Sequence, residues 1–227
     1  MSESLNRLLA DLHAQRVATW EPATLQVNVD QRQRLVDEAR TEDFVKVGDT
    51  LELFTLLKVE GGSLSRDELL AKGPAVLIFF RFAGCPACNI ALPYYERQLY
   101  PQLHALGVPL VAVSPQVPER LVEIKTRHHL KLQVASDPDN QLGRRLGILY
   151  SFDDASRKAA LAKGNSIGET TGTGTWELPQ PTVVIIARDA TVAFADVSPD
   201  WLVRTEADPI IRAVEQLLGQ APVQIAI

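Results

Sequence analysis

The chain has two cysteines, Cys85 and Cys88, and they stand three positions apart. They close too short a loop to serve as a structural staple, because a disulfide stabilises mainly through the length of chain it closes. The run Phe80-Arg81-Phe82-Ala83-Gly84-Cys85-Pro86-Ala87-Cys88-Asn89 reads as a buried strand end, a small-residue turn and a helix start. Pro86 suits the first helical turn, where its missing N–H has no helical partner to lose. Cys85 is then the N-cap, with its sulfur facing the free N–H groups of Ala87 and Cys88 and the positive end of the helix dipole. Such a place favours thiolate over thiol, and Arg81 adds a positive charge if it curls over the turn. Cys88, one turn in, is the less exposed thiol. The expected division of labour is attack by Cys85 and resolution by Cys88.

Other uses of the pair have less support. A structural zinc site needs four ligands, and His128-His129 would have to complete it from a helix end, where adjacent side chains diverge. No metal and no cofactor are expected. Two inert buried cysteines are the bland alternative. Gly172-Thr173-Gly174 lacks the Gly-Lys-Ser/Thr of a phosphate loop and reads as a flexible loop. Tyr94-Tyr95, Trp176 and Trp201 read as packing residues, and Pro93 as a kink in the cysteine helix.

The elements around the pair follow from periodicity. Ala75–Phe80, Val108–Val113 and Thr182–Ala187 are apolar runs of strand length, and Leu132–Ala135 is a shorter one. A long helix from Pro86 carries Leu92, Tyr95, Leu99, Leu103 and Leu106 on one face. Pro118–His129, Asp139–Leu146 and a last segment with Ile210, Ile211, Val214 and Leu217 are further helices. Strands bounded by helices imply an α/β fold, a central mixed sheet covered by helices on both faces. Arg188-Asp189-Ala190 turns the third run back into Thr191–Val197 as an antiparallel hairpin. Leu51, Leu53 and Thr55 alternate with Glu52 and Phe54 as an early strand, and Ser65 with Glu68 forms a capping box. Asp153–Gln180 is the least regular stretch and is expected to be loop. Ahead of all this, Leu5, Leu8, Leu9 and Leu12 mark one helix and about Asp30–Ala39 a second. The organisation is an N-terminal helical extension over 1–44 and a main domain over 45–220. The narrow stripe of the first helix leaves two docking partners open, the main domain or a second subunit of a homodimer.

Composition sets the compartment and the partners. The formal charge is −5 with no basic block, which argues against a nucleic-acid partner. No apolar run approaches the ~20 residues that span a bilayer, and no basic, apolar leader opens the chain. The expected location is the cytoplasm, away from membranes, where thiols stay reduced.

The motifs resemble a known family, the alkyl hydroperoxide reductase/thiol-specific antioxidant group of peroxiredoxin-like proteins, within the thioredoxin-like fold. The resemblance rests on Val47-Gly48-Asp49, Phe79-Phe80-Arg81 before the cysteine motif, Ala112-Val113-Ser114-Pro115-Gln116 and Ser136-Asp137-Pro138. It continues through Trp176-Glu177-Leu178-Pro179 and Phe194-Ala195-Asp196-Val197-Ser198-Pro199-Asp200-Trp201. It implies reduction of peroxides by a cysteine thiolate, with electrons returned by a thioredoxin-type donor. Two positions depart from the family pattern: Ile78 stands where the motif has Pro, and Phe82 where it has Thr or Ser. Gln180-Pro181-Thr182 occupies the region of the family arginine. It looks instead like the thioredoxin signature, in which a cis Gln180–Pro181 bond would face Cys85 and present the Gln180 backbone to an incoming disulfide. Three functions therefore stay open: a thiol peroxidase, a thiol–disulfide oxidoreductase acting on protein disulfides, and a non-catalytic redox-sensing domain.

Overall fold

The structure, a computed structural model, describes residues 3–219; the expected domain end at residue 220 lies outside them. In chain order the elements are α1 (Leu5–Thr19), α2 (Pro22–Asp37), β1 (Thr55–Lys58), β2 (Ser63–Ser65), α3 (Arg66–Leu70), β3 (Ala75–Phe79), α4 (Pro86–Gln98) and α5 (Tyr100–Ala105). They continue with β4 (Leu110–Ser114), α6 (Pro118–His128), β5 (Gln133–Ser136), α7 (Gln141–Arg145), β6 (Leu149–Ser151), α8 (Asp154–Ala162) and α9 (Ile167–Thr171). β7 (Glu177–Pro179), β8 (Thr182–Ile186), β9 (Val192–Val197) and α10 (Ala207–Gly219) complete the described residues.

Seven strands form one mixed sheet in the order β2-β1-β5-β4-β3-β8-β9. β3 is parallel to β4 and antiparallel to β8. Strand alternation builds two cores from these three strands. Val76, Ile78, Leu110, Ala112, Val183 and Ile185 face one side, with both cysteines and α1, α4 and α10. Leu77, Phe79, Val111, Val113, Val184 and Ile186 face the other, with Leu51, Leu69, Leu142 and Leu146. A sheet apolar on both faces must be covered on both, which is why β3, β4 and β8 are continuous hydrophobic runs. Among the described residues no helix is long and apolar enough to cross a membrane.

Helix α1 docks on the main body of its own chain. Leu5 and Leu9 are fully buried in the first core. The helix start is gripped from the far end of the chain: Glu206 accepts from Leu5 N at 2.8 Å, Asn6 N at 3.0 Å, Ser4 Oγ at 2.8 Å and Tyr94 OH at 2.8 Å. A carboxylate over a helix N-terminus satisfies orphan N–H groups and complements the dipole.

Three expectations need correction. The cysteine helix is not continuous to Leu106. It stops at Gln98 and α5 begins at Tyr100, because Pro101 has no N–H to continue the ladder, and Leu106 is exposed; Pro93 sits inside α4 without ending it. The early strand starts at Thr55, with Phe54 and Leu56 buried and Leu53 exposed. The stretch 153–180 is mostly ordered. Asp153 caps α8 by accepting from Ser156 N at 2.9 Å, and β7 pairs with β6 in a separate two-stranded sheet. Two of its glycines are required by the fold: a Cβ on Gly168 would stand 2.6 Å from the Gly174 backbone, and Gly172, at φ +80, closes α9.

Candidate active site

Cys85 lies where β3, after Phe80 and Arg81, turns into α4. The turn is tied from three directions. Ser114 Oγ donates to Arg81 O at 3.0 Å, Gln116 Oε1 accepts from Ala83 N at 2.8 Å, and Asn89 Nδ2 donates to Ala83 O at 2.7 Å and Cys85 O at 2.9 Å. Cys85 is the N-cap residue, but its sulfur makes no cap hydrogen bond. It is not the exposed thiol either: Cys85 is 1% exposed and Cys88 0%. Trp201, Phe82, α1 and the segment leading to α10 close over this end of the sheet.

Two buried cations face the dithiol. Arg81 NH1 is 4.0 Å from Cys85 Sγ, and Arg204 NH2 is 3.4 Å from Cys88 Sγ. The Arg81 guanidinium lies among aromatic faces, 4.8 Å from the Trp201 ring centroid, 5.7 Å from Phe82 and from Phe152, and 5.9 Å from Tyr150. Burial pushes the Tyr150 hydroxyl up to about 12, so it stays protonated. Arg204 is held through its backbone by one side chain of α1: its N–H donates to Asn6 Oδ1 at 2.9 Å, and its carbonyl accepts from Asn6 Nδ2 at 2.8 Å.

These charges split the two thiols. Burial, the hydrogen bond to Cys88 and the Cys88 charge push Cys85 well above the ordinary thiol range. Burial also opposes ionisation of Cys88, but the hydrogen bond from Cys85 and the Arg204 guanidinium outweigh it and hold Cys88 well below that range. Of the two sulfurs, Cys88 is the one on which the negative charge is favoured and Cys85 the one that keeps its proton, the opposite of the expected order.

A stability profile follows from this split. At pH above the Cys88 value, unfolding takes up a proton, so the pair's contribution rises with pH. Above the ordinary thiol range, about 8.5, the unfolded chain has lost both protons while folded Cys85 keeps its own, so the contribution falls. The urea midpoint of the reduced protein minus that of the C85A/C88A variant is expected to peak near the ordinary thiol range. A difference independent of pH would show that the pair is not split.

The proline expectation fails. Among the described residues no peptide bond is cis. Gln180 and Pro181 link β7 to β8 through the commoner trans bond. Gln180 N already donates to Ile148 O at 2.8 Å, Gln180 O accepts from Thr182 Oγ1 at 2.9 Å, and Pro181 O accepts from Ser198 N at 2.9 Å. The Gln180 backbone has no free edge for an incoming disulfide. Of the residues sequence reasoning singled out, the structure brings Arg81, Cys85 and Cys88 together. Arg204 and Asn6 were missed. They lie far from the motif in sequence, and a single arginine after Trp201-Leu202-Val203 carries no local mark.

The AhpC/TSA family model matches residues 47–195. A Haemophilus influenzae protein bearing the name peroxiredoxin bcp is 28% identical over 110 residues, 46% of this chain and 66% of that protein. Among solved structures, peroxidoxin BcpB from Mycobacterium tuberculosis superposes with a TM-score of 0.58 at 18% identity, over 76% of this chain and 97% of that one. Reduced Prx3 from Vibrio vulnificus, in complex with H2O2, gives 0.59 at 22% identity, over 75% and 99%. At these identities the superpositions establish the fold alone. The matched span ends before Arg204 and begins after α1.

Proposed function

Because this chain belongs to the AhpC/TSA family, we propose that it is a thiol-dependent peroxidase acting on hydrogen peroxide or organic hydroperoxides through Cys85 and Cys88. The observation that carries this reading is the buried dithiol set between two guanidinium groups, which favour a thiolate on the pair. Cys88 thiolate, hydrogen-bonded to Cys85, accepts the Cys85 proton as Cys85 attacks the nearer peroxide oxygen, so that proton transfer and attack are one step. An S–O bond forms as the O–O bond breaks. The leaving oxygen departs as water or alcohol after taking up a proton, and Cys85 becomes a sulfenic acid. Cys88 then attacks the Cys85 sulfur, forms the disulfide and releases the sulfenic oxygen as water. Two electrons and two protons from a thioredoxin-type donor restore both thiols. Arg81 stabilises the developing negative charge beside Cys85, in the place of the family's usual hydroxyl and arginine. This cycle suits a reducing compartment such as the cytoplasm.

Thiol–disulfide exchange with protein disulfides is the second reading, favoured by the Cys-x-x-Cys spacing. One experiment separates them: peroxide consumption by the reduced protein, measured beside reduction of insulin disulfides. Stoichiometric loss of H2O2 with one disulfide formed per chain is expected, with insulin left intact. Insulin reduction without peroxide loss reverses the assignment.

A further inference from the structure

The two cations beside the dithiol depend on one irregular segment. Trp201, whose ring lies 4.8 Å from the Arg81 guanidinium, and Arg204, 3.4 Å from Cys88 Sγ, both stand between the end of β9 and the start of α10. No helix or strand fixes the chain there. A turn organised by Asp200 shapes it locally: the Asp200 carbonyl accepts from Val203 N at 2.8 Å, and its carboxylate from Leu202 N at 2.9 Å.

The same carboxylate is gripped from α2. Arg32 Nε donates to Asp200 Oδ1 at 2.7 Å, and Arg32 NH2 to Oδ2 at 2.6 Å. Two parallel bonds from a planar fork fix angle as well as distance. The pair is sheltered, with side chains 17% and 21% exposed, so water and salt screen it less than a surface pair. Its grip matters because α2 has no broad apolar face to hold it: Gln31 is the one buried residue of the helix.

Trp201 is where the two N-terminal helices meet the site. Its buried ring has three guanidinium groups within reach: Arg16 of α1 at 5.5 Å, Arg32 of α2 at 5.8 Å and Arg81 at 4.8 Å. Each is attracted by the ring face, but like charges do not hold one another in place. Among the described residues Arg32 alone of the three is paired with a carboxylate, and that carboxylate belongs to the residue next to the ring. Arg32 is therefore the one that can fix where the ring stands.

We infer that Arg32 is a positioning residue of the peroxide reaction: through Asp200 it fixes Trp201, and the Trp201 ring fixes the Arg81 guanidinium beside Cys85. Helix α2 then belongs to the working site, although it lies outside the span that the family model matches. The inference rests on the peroxidase reading for the reaction, whereas the placing of the cations is read without peroxide.

Arg32→Met in the full-length protein tests it. The rate constant for H2O2 consumption is expected to fall about 10- to 100-fold, the scale on which a distant mutation that misplaces a group by up to ~1 Å is felt. The pH at which iodoacetamide alkylation reaches half its plateau is expected to rise by up to about one unit, part of what a nearby opposite charge supplies. Arg32→Lys keeps the charge without the fork and is expected to fall between. Arg34→Met is the control, since Arg34 ties the same helix to Asp153 at 3.6 Å and not to the Trp201 segment; parent rate and profile are expected. If Arg32→Met does not fold, Asp200→Asn carries the comparison, because it keeps an acceptor for Leu202 N and removes the charge; the same directions are expected. A slowed rate with an unmoved alkylation profile is the mark of a loosened fold and overturns the inference, as does an unchanged rate. Equal effects in Arg34→Met assign the result to α2 as a whole and overturn it too. A parent that consumes no H2O2 sinks the peroxidase reading; a shifted profile in Arg32→Met then still upholds the placing of the cations, and an unmoved one removes it.

Discussion

Replacing Cys85 by serine is expected to slow peroxide consumption on the order of 10³-fold or more, the scale on which removal of an attacking nucleophile is felt. Serine at position 85 keeps the N-cap and roughly the volume, so the fold is expected to survive, which circular dichroism and the urea midpoint check. Cys88→Ser separates the roles. Without a resolving thiol, the first turnover is expected to leave a sulfenic acid on Cys85, which dimedone traps and mass spectrometry places. The reverse pattern, with dimedone on Cys88 in the C85S protein and retained peroxide consumption, would exchange the two roles and make the charged sulfur the attacking one.

Arg204→Met is expected to raise the pH at which the pair first ionises. An opposite charge within a few ångströms lowers a pKa by about 1–3 units. Its loss is therefore expected to cut the thiolate fraction at neutral pH, and with it the iodoacetamide rate, by about 10-fold or more. The charge would otherwise sit buried and less compensated, at a cost of about 3–5 kcal/mol. Protonation of Cys88 limits that cost, so the stability loss is expected to shrink as pH falls. Arg204→Lys keeps the charge and is expected to recover much of the rate. If the pH profile of alkylation in Arg204→Met matches that of the parent, Arg204 is packing and Arg81 alone sets the thiol chemistry.

The sheet was legible because its signal is local. Ala75–Phe79, Leu110–Ser114 and Thr182–Ile186 are apolar runs with short turns around them, and each forms a fully buried strand. The turn into α4 was legible for the same reason, since Pro86 fixes the helix start. The site's electrostatics were not. The sulfur charge depends on Arg204, which is 116 positions from Cys88, and on Asn6, which is 198 positions from Arg204. Neither residue has a periodicity or a neighbour that announces such a contact. The exposure expected for Cys85 failed likewise, because a helix start open in isolation is roofed by elements far along the chain. The reading of 153–180 as loop weighed glycine by its freedom, whereas Gly168 is there because the backbone at Gly174 comes too close for a side chain.

The grip of Glu206 and Asn6 on one another's surroundings sets an order of events during synthesis. Helix α1 is made well before its partners: the carboxylate that seats its first turn and the arginine backbone that its Asn6 holds come about two hundred residues later. Until then the dithiol has emerged without the cation that charges Cys88. Through that interval the two thiols titrate in the ordinary range, and the difference between them is set only when the segment around Arg204 meets α1.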